Sequence, residues 1–154
     1  MRAILFTLLA VFMCATAVFA GSFKDNGNET ITDLTTNLMW QQCTYGLSGA
    51  NCATGAVLTI TWEASIVYCE TLSHAGFTDW RLPHIKELRS IADSTTYSPA
   101  INAVYFPNTD LSRYWSSTSS AADTTAAMYV HFGLGYASAM DKAYLYAVRC
   151  VRGQ

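Results

Sequence analysis

The chain has 154 residues, of which 51% are hydrophobic and only 13% are charged, with nine Lys or Arg against eleven Asp or Glu. This length suits one domain rather than two. No part of the sequence clusters Lys and Arg, so the composition predicts no nucleic-acid partner. An aromatic content of 13% with so little charge also argues against a disordered chain.

Residues 1–20 have the pattern of a secretory signal peptide. Arg2 precedes an apolar run at 3–12, and Ala20 completes the small-residue pattern that signal peptidase recognises. We therefore predict cleavage after Ala20, a secreted or periplasmic domain at 21–154, and no membrane span after cleavage. The alternative is an uncleaved anchor, since about 18 apolar residues can just span a bilayer. The mature domain keeps eight basic and eleven acidic residues, a formal net charge of −3.

Four cysteines remain in the mature domain, and an even number in an exported chain predicts two disulfides. Four cysteines permit three pairings. Proximity favours Cys43–Cys52, which leaves Cys69–Cys150. Zinc is the rival interpretation, but the three histidines are scattered and the sequence has no Cys-x-x-Cys pair, so we predict no metal site.

The mature chain opens with predicted strands at 30–32 and 38–40, preceded by Phe23. Asn26-Gly27, between Phe23 and the strand at 30–32, is typical of a hairpin turn. A calcium loop is the other interpretation, because acidic and amide side chains crowd this turn. The calcium-loop spacing with Gly at the sixth position is missing. We therefore favour a plain turn and predict no cofactor. Calcium binding is possible, but no motif in the sequence supports it.

A surface loop held by one disulfide is predicted at 44–58. After it, apolar residues recur at the spacing of a helix. Thr61 can cap the first helix and Gly76 can end it. Its apolar positions are Trp62, Ile66, Cys69 and Leu72.

A second helix is predicted after Pro83. Its apolar stripe is Ile85, Leu88 and Ile91, and its solvated face carries Lys86, Glu87 and Arg89. In the short segment between the helices, Asp79 and Arg81 are expected to form a structural ion pair.

Residues 94–113 are predicted to be a long, packed connection, after which strands return. The predicted strands are 114–118, 127–132, 136–140 and 144–151, with Gly133-Leu134-Gly135 as a hairpin turn. In the last strand, Val148 and Cys150 share a face that a disulfide would turn inward. Strands, two helices and further strands, in this order, predict an α+β fold.

Many of these segments resemble, in order over about residues 22–153, the Lcl C-terminal domain family, which is named after the tip domain of a bacterial collagen-like adhesin. The segments that carry the resemblance are Asp25-Asn26-Gly27, Thr30-Ile31-Thr32-Asp33, Leu38-Met39-Trp40, Thr61-Trp62-Glu63-Ala64, Tyr68-Cys69, Asp79-Trp80-Arg81-Leu82-Pro83, Lys86-Glu87-Leu88, Tyr105-Phe106-Pro107, Tyr114-Trp115-Ser116-Ser117-Thr118 and Val148-Arg149-Cys150-Val151-Arg152-Gly153.

The resemblance implies a C-type lectin-like fold, related to the formylglycine-generating enzyme fold, with two helices packed on twisted antiparallel sheets. A bridge from the first helix to the final strand is expected in such folds, in agreement with Cys69–Cys150. The named adhesin is associated with sulfated glycosaminoglycans, host attachment and biofilm formation. The present sequence has no collagen-like Gly-x-y repeat and a negative net charge, and it lacks the Glu-Pro-Asn and Trp-Asn-Asp triplets of calcium-dependent lectins.

The preferred functional hypothesis is a non-catalytic, adhesin-like binding module that recognises an extracellular glycan or protein. If Met128, Val130 and Phe132 face the core, alternation turns the other side chains of that strand outward. Aromatic faces stack on sugars, and tyrosine supplies contact area at a low entropic cost. The candidate ligand-binding residues are Arg113, Tyr129, His131, Tyr136 and Ser138.

Two other hypotheses stay open. One is a structural or assembly protein of the cell envelope. The sequence is compatible with an oligomer. The other is an enzyme, but thiol oxidation of the formylglycine-generating kind needs free cysteines. Ser116, His131 and Asp141 supply hydrolase residue types without a nucleophile elbow. We therefore predict no catalytic residues.

Overall fold

The structure is a computed structural model that describes residues 23–153. Within these residues the fold is α+β, as predicted, with two helices and three antiparallel sheets. The sheets have the orders β1-β2-β3-β9, β4-β5 and β6-β7-β8. In chain order the elements are β1 (Phe23–Asp25), β2 (Thr30–Asp33), β3 (Leu38–Gln41), β4 (Leu47–Ser48), β5 (Thr54–Gly55), α1 (Trp62–Thr71), α2 (Ile85–Ser90), β6 (Arg113–Ser119), β7 (Ala126–His131), β8 (Tyr136–Asp141) and β9 (Val151–Arg152).

The predicted signal peptide at 1–20 lies outside the described residues. The longer of the two described helices, α1, has ten residues, so it spans only about 15 Å. Within residues 23–153, no helix is long and apolar enough to cross a membrane.

The first sheet brings the two ends of the described chain together. Its opening turn is the predicted one: the Asp25 carboxylate accepts the backbone N–H of Gly27 at 2.8 Å, and Gly27 has a φ of 73°, which suits glycine. On the other side of the sheet, β9 pairs antiparallel with β3. The last strand therefore closes the sheet that the first strands open.

Helix α1 begins as predicted and ends early. The Thr61 hydroxyl accepts the backbone N–H of Ala64 at 3.4 Å, as an N-cap does. The predicted end at Gly76 is wrong, because Leu72 already has an extended backbone. Gly76 instead serves a tight turn, across which His74 and Phe77 exchange backbone hydrogen bonds of 3.0 and 2.9 Å.

The predicted ion pair between Asp79 and Arg81 is wrong. The Glu87 carboxylate accepts the backbone N–H of His84 at 2.8 Å as part of a capping box, which places its oxygens 2.7 and 2.8 Å from the Arg81 guanidinium. Asp79 instead accepts two hydrogen bonds from Arg152, at 2.7 and 3.0 Å. Each arginine thus takes the carboxylate that the tertiary structure presents in a bidentate geometry.

Strands β6 and β7 of the third sheet have buried side chains on both faces. One face lies in a core cluster with α2 and the first sheet, and the other lies in a second cluster with Cys69 of α1. The fully buried members of the first cluster include Ile31, Trp40, Leu88, Phe106, Tyr114, Val130, Phe132 and Val151, and the buried members of the second include Trp80, Trp115, Ala127, Tyr129, Tyr146, Val148 and Cys150. The connection at 94–113 contributes Phe106 to the first cluster, so it is packed, as predicted.

The predicted strand at 144–151 is wrong over most of its length. Only Val151 and Arg152 form a strand, whereas Tyr146 and Ala147 make isolated bridges to Ile60 and Tyr114. The segment threads between separate elements, so no single neighbouring strand runs along it. The inward direction of Val148 and Cys150 is confirmed, since both are fully buried.

Both predicted disulfides are confirmed. The Cα atoms are 5.3 Å apart in Cys43–Cys52 and 5.6 Å apart in Cys69–Cys150, within the normal range. The first bridge closes a surface loop, and the second ties α1 to the segment before β9.

We expect the two bridges to differ in their effect on stability. In the chain-entropy model, the loop closed over 9 residues contributes about 2.7 kcal/mol and the loop closed over 81 residues about 4.5 kcal/mol. Replacing both members of Cys69–Cys150 by serine should therefore lower the free energy of unfolding more than the same change in Cys43–Cys52. Urea denaturation measures both losses of free energy. Equal losses would contradict the prediction that Cys69–Cys150 contributes more to stability than Cys43–Cys52.

Candidate functional site

The structure brings the five predicted ligand-binding residues together on one face of the third sheet. Arg113 of β6 pairs with His131 of β7, and His131 pairs with Tyr136 of β8. In the next row of the same face, Tyr129 of β7 pairs with Ser138 of β8. Residues two apart on a strand share a face, so the two rows form one surface.

Arg113 lies beside two tyrosine rings that pack against each other. Its guanidinium carbon is 5.7 Å from the ring centroid of Tyr129 and 5.6 Å from that of Tyr146. These distances are within the range of cation–π attraction. Its buried Nε has no hydrogen-bond acceptor within the described residues, and a hydrogen bond with Tyr129 raises the pKa of the guanidinium. Arg113 therefore keeps its positive charge and an unused donor at this position.

The prediction that Tyr129 faces outward is wrong. Val130 and Phe132 do face the first core cluster, but Tyr129 is only 4% exposed, because a second core cluster covers the opposite face. Its ring packs edge-on against Tyr146, with centroids 5.3 Å apart. The alternation of side chains along a strand predicts a solvent-exposed face only where no other part of the protein packs against that face.

The hydroxyl of Tyr129 is the centre of a small polar network. Burial raises the pKa of Tyr129, but hydrogen bonds with Arg113, Tyr136 and Ser138 outweigh it, and the net direction is downward. The pKa of Tyr136 is raised, first by its hydrogen bond to Tyr129 and then by burial. The two directions indicate that this environment favours the charged form of Tyr129 over that of Tyr136.

His131 occupies the edge of the same surface. Its Nδ1 accepts the backbone N–H of Gly133 at 3.1 Å, and its ring centroid is 5.2 Å from that of Tyr136. Burial lowers the pKa of His131, and the neighbouring Arg113 lowers it further. The imidazole therefore favours its neutral form beside the guanidinium.

Two tyrosines that the sequence analysis missed complete the surface. Tyr144 is 56% exposed and Tyr146 is 8% exposed, with ring centroids 6.3 Å apart. Together with Tyr136, which is 40% exposed, Tyr144 presents aromatic area to solvent. The spacing of two residues between these tyrosines was a signal, but the sequence does not show that this segment folds back beside β6.

The three hydrolase-type residues do not form one site. The hydroxyl of the fully buried Ser116 donates to the backbone carbonyl of Met128 at 2.8 Å. His131 and Asp141 belong to opposite ends of the β7–β8 pair, five residues apart, which corresponds to about 16 Å. No nucleophile, base and acid are therefore aligned among these residues.

The acidic turn that suggested calcium uses its carboxylates on backbone groups. Asp25 accepts the N–H of Gly27, and Glu29 accepts the N–H of Gly49 at 2.9 Å. Among residues 23–153 there is no group of three or more His, Cys, Asp or Glu placed to hold a metal ion.

We expect Tyr129 and Tyr136 to differ in their effect on stability. Replacing Tyr129 by alanine removes a buried ring and should lower the free energy of unfolding by about 3–5 kcal/mol. The same change at the half-exposed Tyr136 should cost about 1 kcal/mol or less. Chemical denaturation measures both losses. Equal losses would contradict the placement of Tyr129 in the second core cluster.

The lowered pKa of His131 predicts a pH dependence. Its unfolded pKa is about 6.5, so below this pH the unfolded state binds more protons than the folded state. The stabilising contribution of neutral His131 is complete above this value and is lost as the pH falls through the lower, folded pKa. Between pH 7 and 5 the wild-type protein should therefore lose more free energy of unfolding than His131→Asn, which keeps an acceptor for Gly133. Parallel losses in the two proteins would contradict this prediction.

Comparison with known proteins identifies a family. No curated protein is similar enough to the chain to count as a match. The family model described as the Lcl C-terminal domain matches residues 29–152. This range includes both disulfides, both helices and all five predicted ligand-binding residues. The resemblance seen in the sequence is thereby confirmed, and the chain belongs to the Lcl C-terminal domain family.

Proposed function

We propose that the chain is a secreted or periplasmic, non-catalytic binding module that recognises a glycan or protein ligand at the cell envelope. The observation that carries this proposal is the position of Arg113 beside a pair of contacting tyrosine rings on one face of the third sheet. We call the residues of this face the tyrosine surface: Arg113, Tyr129, His131, Tyr136, Ser138, Tyr144 and Tyr146.

The tyrosine surface combines the groups that sugar and peptide recognition need. Tyr136 and Tyr144 offer aromatic faces for stacking, at a low entropic cost for each side chain. Arg113 offers a fixed fork of N–H donors to ligand hydroxyl or carboxylate oxygens, and the exposed Ser138 adds a hydroxyl. The buried Tyr129 and Tyr146 hold these groups in place and do not contact a ligand themselves.

Two further observations support the proposal. The two disulfides are typical of a domain outside the cytoplasm, in agreement with the predicted signal peptide. Membership in the family of an adhesin tip domain favours binding over catalysis. We also propose that the fold is C-type lectin-like, supported by the bridge from α1 to the segment before β9.

An assembly role is the second candidate function. Leu134, in the turn between β7 and β8, is 61% exposed, and Leu111, before β6, is 47% exposed. The backbone of Gly133, next to Leu134, lies against the carbonyl of Leu111, so these two exposed leucines belong to neighbouring segments of the chain. Light scattering on the purified protein tests this role, since a concentration-dependent oligomer favours assembly and a monomer favours the binding module.

Glycan and glycosaminoglycan arrays test the binding function. We expect saturable binding to one sugar class that is the same in calcium and in EDTA. The double variant Tyr136→Ala, Tyr144→Ala should weaken this binding about tenfold, because two stacking contacts together contribute about 1–3 kcal/mol. Its melting temperature should stay close to that of the wild type, because both side chains are at least 40% exposed.

The matched control is Tyr97→Ala, which removes an exposed tyrosine from a different loop. This variant should bind as the wild type does. Equal loss in the control and the double variant would contradict the assignment of the tyrosine surface. A folded, disulfide-bonded protein that binds no glycan would leave a protein ligand or the assembly role as the function.

A further inference from the structure

Arg149 carries a charge in the core without a partner of opposite charge. Its side chain is completely buried, and its Nη2 donates to the hydroxyl oxygens of Thr44 and Thr109 at 3.2 and 2.9 Å. The described ion pairs join other residues, Arg81 with Glu87 and Arg152 with Asp79. Within residues 23–153, Nε and Nη1 of Arg149 have no hydrogen-bond acceptor.

The surroundings of Arg149 do not remove its charge. Burial lowers the pKa of the guanidinium to about 10, so it stays protonated at neutral pH. Burial also raises the pKa of the neighbouring Tyr114, whose ring is therefore a neutral phenol. Both threonine hydroxyls are neutral as well. The site thus has a full positive charge and only neutral acceptors.

Aromatic contacts offset part of this charge. The guanidinium carbon is 4.7 Å from the ring centroid of Phe106 and 5.8 Å from that of Tyr114. Cation–π attraction of this kind is weaker than the cost of burying an unpaired guanidinium. A water molecule would accept a hydrogen bond but bring no charge. An anion would satisfy both requirements.

We propose that Arg149 binds a small monovalent anion of the size of chloride within the first core cluster, through N–H groups that the two threonines do not use. The ligand is small because the guanidinium lies near the fully buried rings of Phe106 and Tyr114, which leave no room for a large molecule. Another buried donor of this cluster, Trp40 Nε1, also has no acceptor within the described residues. The anion is a structural ligand, and its site is distinct from the tyrosine surface.

Thermal unfolding of the full mature chain tests the site in solution. At constant ionic strength, replacing sodium isethionate by sodium chloride should raise the melting temperature in a saturable manner, by about 4 °C at a tenfold excess over the dissociation constant. Arg149→Met should lose this dependence. The control Arg89→Met, which removes an exposed arginine of α2, should keep it.

Because Arg149→Met removes a central core side chain and can prevent folding, a second measurement uses the wild-type protein. Crystals grown in sodium bromide should show an anomalous peak within about 3.5 Å of the Arg149 guanidinium, the contact distance of a halide with N–H groups. A water molecule at this position, or bromide bound only elsewhere, would overturn the proposal. So would a bromide peak without any chloride dependence in solution, which would indicate an adventitious ion only.

Discussion

The burial of residues 146–151 between two core clusters is the constraint on which the rest of the structure depends. Ala147 and Val151 belong to the first cluster, and Tyr146, Val148 and Cys150 to the second. Along its length the segment exchanges backbone hydrogen bonds with residues before α1, in β6 and before α2, and its disulfide adds a covalent link to α1. One extended stretch of chain therefore holds both helices and two of the sheets in a single packed unit.

The position of the tyrosine surface follows from the same constraint. Tyr146 packs against Trp115 and Tyr129, with ring centroids 4.5 and 5.3 Å apart, and so covers the middle of a sheet face that would otherwise meet solvent. Arg113 is left at the margin of the second cluster. The side chains that reach solvent there are Tyr136 and Ser138 on the edge strand β8, and Tyr144 just before the buried segment. The candidate site is thus the rim of a core, which gives its exposed rings a rigid support.

Two arginines of this fold have similar aromatic surroundings but differ in burial. Arg113 and Arg149 each lie near two aromatic rings, and each has a buried N–H group for which the described part of the chain supplies no acceptor. Arg113 is partly exposed, so a ligand from solvent can reach it. Arg149 is sealed in the core, where only a small ion can compensate its charge. We propose that the same cation–aromatic arrangement serves ligand recognition at Arg113 and anion binding at Arg149.

The sequence by itself determined the features that depend on local chemistry. These include the α+β order, the Asn26-Gly27 turn and the Thr61 cap, while proximity and an even cysteine count favoured, among three possible pairings, the two disulfides that the structure contains. It also placed four of the five predicted binding residues on the two strands of one predicted hairpin, at 127–132 and 136–140, with Arg113 just before the strand at 114–118. Only the tertiary structure decided that Tyr129 is buried and that Arg81 binds Glu87, since both outcomes depend on which distant group packs nearby. Short-range patterns determine turns, helix caps and the alternation of side chains along a strand. Whether a given face of a sheet is buried depends on chain segments that are far away in the sequence.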